Sequence, residues 1–351
     1  MNALERVSLA LNHQEADRVP VYPILSGVTR NIMGSSYEKW ATDAETCVKA
    51  LLDSVDLYGL DCLVTLIDLS IECDAWGPKL VYPENQAIHP DFKEPLIKDI
   101  SEYEKIKKVD YRQSKRMMMH IEVCRELVKR KGHELPIVAF VFGPLGVLSM
   151  LRNQQDMYMD IYDDRDAVKN AAKEVNETLK EYCEALMDTG VHGIMLDTLF
   201  ASGSIMSKAM WMDMEGDLVR ELADVIHNRG CMVMVHNCGE RIYFDAQIET
   251  MRPQAISFLY PPDDCKDFKE CKDKYGGKLT LIGCVPPPMV ITATDEEWEQ
   301  VIKDQIDIMA PGGGYILATG CEYPANATFE RAAKMVELAH TYGTYPIKKP
   351  L

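Results

Sequence analysis

Three soft ligands in two distant stretches carry the chemistry of this chain: His236 and Cys238 in VMVHNCGE, and Cys321 in ILATGCEYP. One imidazole and two thiols in an H-x-C…C pattern suit zinc. Three protein ligands leave a coordination position open, which marks a catalytic zinc rather than a structural one. Such a centre serves as a Lewis acid or activates a thiol. Both stretches end apolar, β-like runs. Residues two apart on a strand share a face, so His236 and Cys238 can point the same way. Cys284, which follows Gly283 near another strand end, is the competing ligand.

Something must bring these strand ends together. Eight apolar runs recur along the chain: 19–24, 61–67, 136–143, 191–198, 231–239, 255–259, 279–285 and 314–321. Near-continuous apolar strands are typical of parallel sheet covered by helices. The segments between them include DAETCVKALLDSVDLYG, DAVKNAAKEVNETLKEYCEALMDTG and DEEWEQVIKDQIDIMAPGG. Each opens on Asp, a good N-cap, and closes near Gly, a good C-cap. Eight strand–helix repeats predict an α/β fold, a TIM (β/α)8 barrel, in which all C-terminal strand ends open onto one active face. The opening MNALERVSLALNHQEADRVP reads as a short amphipathic helix. The polar stretch from about 68 to 135 reads as an inserted helical excursion after the second strand. No linker divides the chain, so residues 1–351 are expected to form one domain. An open doubly wound sheet is the competing fold, but the Gly-rich fingerprint it would need after the first strand is absent.

Composition bounds the partners. A formal net charge of −17 over 351 residues disfavours nucleic acid and anionic membrane surfaces. No run approaches a membrane span, and the N-terminus lacks the pattern of a signal peptide. Eleven scattered cysteines with no C-x-x-C pair fit a reducing, cytoplasmic setting rather than a disulfide framework.

The phrases ERVSLALNHQEADRVPVYP, GPLGVLSMLR followed by DIYDDRDAV, and GCEYPANATFERAAKMVE, together with H-x-C…C, resemble the uroporphyrinogen decarboxylase superfamily over roughly residues 3–345. Within it they resemble the zinc-dependent corrinoid methyltransferase branch. That resemblance implies a TIM barrel, a Zn2+ ion on His236, Cys238 and Cys321, and a corrinoid protein as partner. It implies one of two tasks. Either a small methylated donor, such as an aryl methyl ether, gives its methyl group to cob(I)alamin, as in O-demethylases. Or a methylcorrinoid gives it to a thiol such as coenzyme M. Asp68 falls where decarboxylase members carry their key aspartate. However, the region after the first strand, ILSGVTRNIMG, has one arginine where a polycarboxylate substrate would call for several cations. Tetrapyrrole decarboxylation, and a barrel that binds a corrinoid or tetrapyrrole without turnover, are therefore the lesser alternatives.

Other candidates stand at strand ends. Asp197 in IMLDTLFASG follows an apolar strand, where burial would raise its pKa and suit it to protonate a leaving oxygen. Tyr22, Tyr260 and Tyr323 are expected to wall an aromatic substrate. Glu322 and Glu72 are candidates for substrate contact or for a fourth zinc ligand. The methyl donor follows the O-demethylase pattern in this reading, because Cys321-Glu322-Tyr323-Pro324 departs from the Gly that usually follows the last Cys in coenzyme M enzymes.

Overall fold

The computed structural model describes residues 1–347. Seven parallel strands form one curled sheet in chain order: β1 (Leu63–Val64), β2 (Ile137–Phe142), β3 (Gly193–Asp197), β4 (Met232–Asn237), β5 (Ala255–Phe258), β6 (Thr280–Val285) and β7 (Tyr315–Thr319). The expected first strand, 19–24, supplies the remaining stave without forming a regular strand. Val21 bridges Leu317 of β7 in parallel. On its other side the Val21 carbonyl accepts from Asp61 N–H, and Tyr22 Oη accepts from Val64 N–H. Two prolines, Pro20 and Pro23, remove the N–H donors that a full ladder would need. The molecule is thus a TIM-type α/β barrel.

Asp61 pins the join. Its carboxylate accepts from Arg6, Arg18 and Val21 N–H, so three segments of the N-terminal region meet on one buried acid. The helix Ala3–Leu11 starts with a capping box between Asn2 and Glu5. It turns Val7 and Ala10 into the barrel bore, where they meet Tyr22, Val64, Val138, Met195, Met234, Ile282 and Ile316. These inward residues alternate with outward ones such as Val233, Val235 and Leu281, which pack under the helices, as the two-residue period of a strand requires.

The helices follow the expected caps with small displacements. Asp43 caps Ala44–Tyr58, and Gly59 ends it in the left-handed conformation. The other two expected helices begin earlier, capped by Asp164 and by Thr294. Thr294 forms a capping box with Glu297, so the threonine hydroxyl takes the role expected of Asp295. The excursion is shorter than 68–135. It consists of tight helical turns and a two-stranded antiparallel ribbon, Leu80–Val81 with His89–Pro90. The helix Lys115–Lys131 belongs to the barrel wall instead, as the crossover leading into β2. Its basic surface hides an apolar stripe of Met117, Ile121, Cys124 and Leu127. Among the described residues, no helix is long and apolar enough to cross a membrane.

Candidate metal centre

The register of three neighbouring strands assembles the floor of the site. Asp197 of β3 pairs with His236 of β4, and His236 pairs with Ser257 of β5. Paired residues of parallel strands share a face, so all three side chains point into the bore at one level. Cys238 lies two residues beyond His236. Asn237 shapes the turn that carries it: its amide donates to the Thr198 carbonyl, and its side-chain oxygen accepts from Gly239 N–H. Cys321 follows β7 across the mouth. One ligand atom from each of His236, Cys238 and Cys321 lies within 4.8 Å of the others. Among the described residues this is the group whose geometry could hold a metal ion.

His236 is 3% exposed, and its Nδ1 meets Ser257 Oγ at 3.0 Å. That contact orients the ring and leaves Nε2 as the nitrogen available to a metal, the usual way a ligating imidazole is held by a partner on its other nitrogen. The three groups are electrostatically coupled. Hydrogen bonding from Cys238, and then from His236, holds the Cys321 thiol well below its ordinary value despite burial. Cys238 moves up, because it shares its proton with Cys321 and is desolvated. Burial works against a charged His236, but the Cys321 sulfur outweighs it and raises the imidazole. Thiol and imidazole groups coupled this closely suit a soft metal, whose binding displaces their protons. Cys284 does not join them. It is 1% exposed, with burial pushing its thiol well up, and it lies in the apolar core.

A cavity of about 260 Å³ opens above the three ligands. Its walls are largely apolar: Leu66, Leu69, Ile88, Phe92, Phe140, Met150 and Leu199. Asp197 reaches into it with Oδ1 buried and without a hydrogen-bond partner. Burial, with the nearby Cys321 adding to it, pushes the Asp197 carboxyl up to about 7. Glu322 also lines the cavity, half-buried, accepting from Gly27 N–H at 3.3 Å. Its carboxyl is likewise pushed up to about 7, by burial first.

The remaining candidates stand elsewhere. Glu72 is buried and accepts from Phe142 N–H at 3.0 Å, at the end of β2 rather than in the cavity wall. None of the three tyrosines is part of that wall. The Tyr22 phenol points into the bore below the ligands, where it joins the first stave to β1. Tyr323 is fully buried, with its hydroxyl on the Thr328 carbonyl at 2.6 Å. Tyr260 is 41% exposed on the rim. The aromatic walls are Phe140 and Phe92, neither of which stands immediately after a barrel strand. Asp68 does line the cavity, but its carboxylate is held by Arg116 in a bidentate pair and by Ser70 N–H and Oγ. Sequence reasoning missed Ser257, Phe140 and Arg116. Ser257 had a signal, a lone hydroxyl in the apolar run AISFL; Arg116, in a lysine- and arginine-rich helix, had none.

Comparison with known proteins agrees with this architecture. A solved methyltransferase from Methanosarcina mazei is similar over 97% of this chain and 99% of its own, with a TM-score of 0.81 at 19% identity. A B12-independent methionine synthase from Shewanella sp. W3-18-1, solved with selenomethionine, covers 92% of this chain and 96% of its own at 14% identity and a TM-score of 0.54. A putative vitamin-B12 independent methionine synthase from Listeria monocytogenes covers 93% and 96% at 11% identity and a TM-score of 0.52. At these identities the likeness is one of fold. A search of curated proteins returns no match. The model of the uroporphyrinogen decarboxylase (URO-D) family matches residues 2–342, and the chain belongs to that family.

Proposed function

We propose that the protein is a zinc-dependent methyltransferase that takes a methyl group from a small aryl methyl ether and passes it to cob(I)alamin carried by a corrinoid protein. The observation that carries this reading is the convergence of His236, Cys238 and Cys321 on one point beneath an apolar cavity, beside the unpartnered oxygen of Asp197. The donor set fits the ion: one neutral imidazole and two thiolates balance its charge and leave a position open. Zinc bound there would polarise the ether oxygen and stabilise the departing phenolate.

The chain's own residues do the rest. Ser257 holds His236 in one orientation. Phe140, Leu66, Leu199 and Met150 take the ring and exclude water. Asp197, whose carboxyl burial raises to about 7, is placed to give a proton to the phenolate oxygen as it leaves. The state of Asp68, whose carboxylate is already occupied by Arg116, favours a transfer reaction over decarboxylation, and the same fold is found in the methyltransferase from Methanosarcina mazei.

The opposite task, from a methylcorrinoid to a thiol such as coenzyme M, would use the same ligands. It fits less well, because among the described residues no lysine or arginine lines the cavity to receive a sulfonate. The test is an anaerobic assay of zinc-loaded protein with cob(I)alamin and a series of aryl methyl ethers. Phenol should appear as cob(I)alamin is consumed. No turnover with any ether, alongside methylation of coenzyme M from methylcobalamin, would reverse the direction.

A further inference from the structure

The cavity has an ion pair built into one wall. Asp68, whose side chain is 0% exposed, takes Nη1 of Arg116 at 3.0 Å and Nη2 at still closer range, both on one carboxylate. Ser70 closes the group from the side: its N–H and Oγ donate to Asp68 Oδ1, and Arg116 Nη1 donates to Ser70 Oγ at 2.7 Å. Asp68 and Ser70 face the cavity, while Arg116 lies behind them. The guanidinium is therefore a positive charge held next to the wall, and the Asp68 carboxylate neutralises it there. The other ionisable groups of the lining are Asp197, Glu322 and His89, together with His236, Cys238 and Cys321, whose two thiolates would balance the charge of a bound zinc. Arg30, in the short helical segment Gly27–Met33, is not part of the lining, and its guanidinium is turned to the carbonyls of Gly27 and Ala325 and to Asn326.

We propose that Asp68 sets the charge selectivity of this cavity: by masking Arg116 it makes the site accept neutral aromatic molecules and turn away anions of the same shape. The proposal rests on the aryl-donor reading above and adds a condition to it. A methoxyarene bearing a carboxylate or sulfonate on its ring is a poor occupant, and its uncharged analogue a good one. A bidentate carboxylate–guanidinium pair has almost no net charge, and its fixed fork leaves few donors for a third group. Removing the carboxylate charge while keeping its shape would leave an uncompensated, largely desolvated guanidinium next to the cavity wall, where one unit charge changes anion affinity by about tenfold or more.

The test is equilibrium binding by calorimetry to zinc-loaded protein, without corrinoid and without turnover. The probes are the isosteric pair para-methoxybenzamide and para-methoxybenzoate. Wild type should bind the amide at least about tenfold more tightly. Asp68→Asn should shift the ratio about tenfold or more towards the benzoate. The double variant Asp68→Asn/Arg116→Gln, which removes both charges, should return the ratio to the wild-type side. That rescue separates charge masking from loosened packing, since the double variant is at least as disturbed structurally. If Asp68→Asn does not fold, because it strands a buried cation, Arg116→Gln is the mirror image. It should raise affinity for the cationic para-methoxybenzylamine about tenfold, and an unchanged value would overturn the proposal. Tighter or equal binding of the benzoate by wild type, or an unchanged ratio in folded Asp68→Asn, would also overturn it while leaving the methyltransferase reading intact. No saturable binding of either probe would refute the aromatic donor class, and this proposal with it.

Discussion

Glu72 offers the sharpest quantitative test of the barrel's electrostatics. Burial pushes its carboxyl up to about 8 from an ordinary value of 4.5, with the hydrogen bond from Phe142 N–H only partly opposing. The folded protein therefore keeps a proton on Glu72 over a range in which the unfolded chain has lost it. Stability from this group is fully present below about pH 4.5 and declines as pH rises towards 8, with a slope approaching ~1.4 kcal/mol per pH unit. Across the whole interval the linkage comes to roughly 5 kcal/mol, and local relaxation and water entry should reduce the measured figure to ~2–3 kcal/mol. Glu72→Gln is the matching perturbation. A glutamine has the shape of the protonated acid, its carbonyl oxygen can accept from Phe142 N–H, and it does not titrate. Asp197, Glu215 and Glu322 are also raised, to about 7, and slope the same way. Only the difference between wild type and variant isolates Glu72. Urea unfolding of the two proteins at a series of pH values from weakly acid to weakly alkaline gives that difference directly. The variant should gain on wild type steadily as pH rises, and zinc content should be the same in both. Parallel curves would refute the assignment of a protonated Glu72. Loss of zinc in the variant would return Glu72 to the ligand set.

Three further outcomes follow from the site. Cys321→Ala should lose the metal, seen by elemental analysis of anaerobically purified protein as a fall from about one zinc per chain to nearly none, whereas Cys284→Ala should keep it. Ser257→Ala should keep its fold but bind zinc ~10–100-fold more weakly in a chelator competition, because the His236 ring loses its orienting partner; an unchanged affinity would show that packing alone holds the ring. Asp197→Asn should retain zinc and lower turnover ~10²-fold or more, the usual size of a general-acid contribution. If zinc is lost instead, Asp197 serves the metal rather than the substrate.

Much of this protein was legible in its sequence for a definite reason. Parallel strands buried on both faces leave unbroken apolar runs, and crossover helices leave Asp, Thr and Gly at their ends, so the barrel announces itself in local patterns. His236 and Cys238 share a face by the two-residue period alone. Their placement at the end of one run, with Cys321 at the end of another, pointed to a common mouth. The pattern failed where local rules are overridden. The first stave, interrupted by Pro20 and Pro23, is held by scattered bonds to Asp61, Val64 and Leu317 rather than by a ladder.

What only the tertiary structure decided is who stands beside whom across the bore. The register of β3, β4 and β5 puts Asp197, His236 and Ser257 side by side, and no spacing along the chain encodes that alignment. The tyrosines looked like substrate walls because they lie near strand ends. Yet Tyr22 and Tyr323 turn their hydroxyls to backbone groups, since a buried phenol must find a partner. Phe140, two residues short of the end of β2, became the wall instead. Asp68 and Arg116 sit on different elements, and only the packing of the crossover helix against the segment after β1 brings one charge to cancel the other. Residue types and their periods determine which groups are available and on which face. Burial, register and charge pairing between distant segments determine which of them remain free to act.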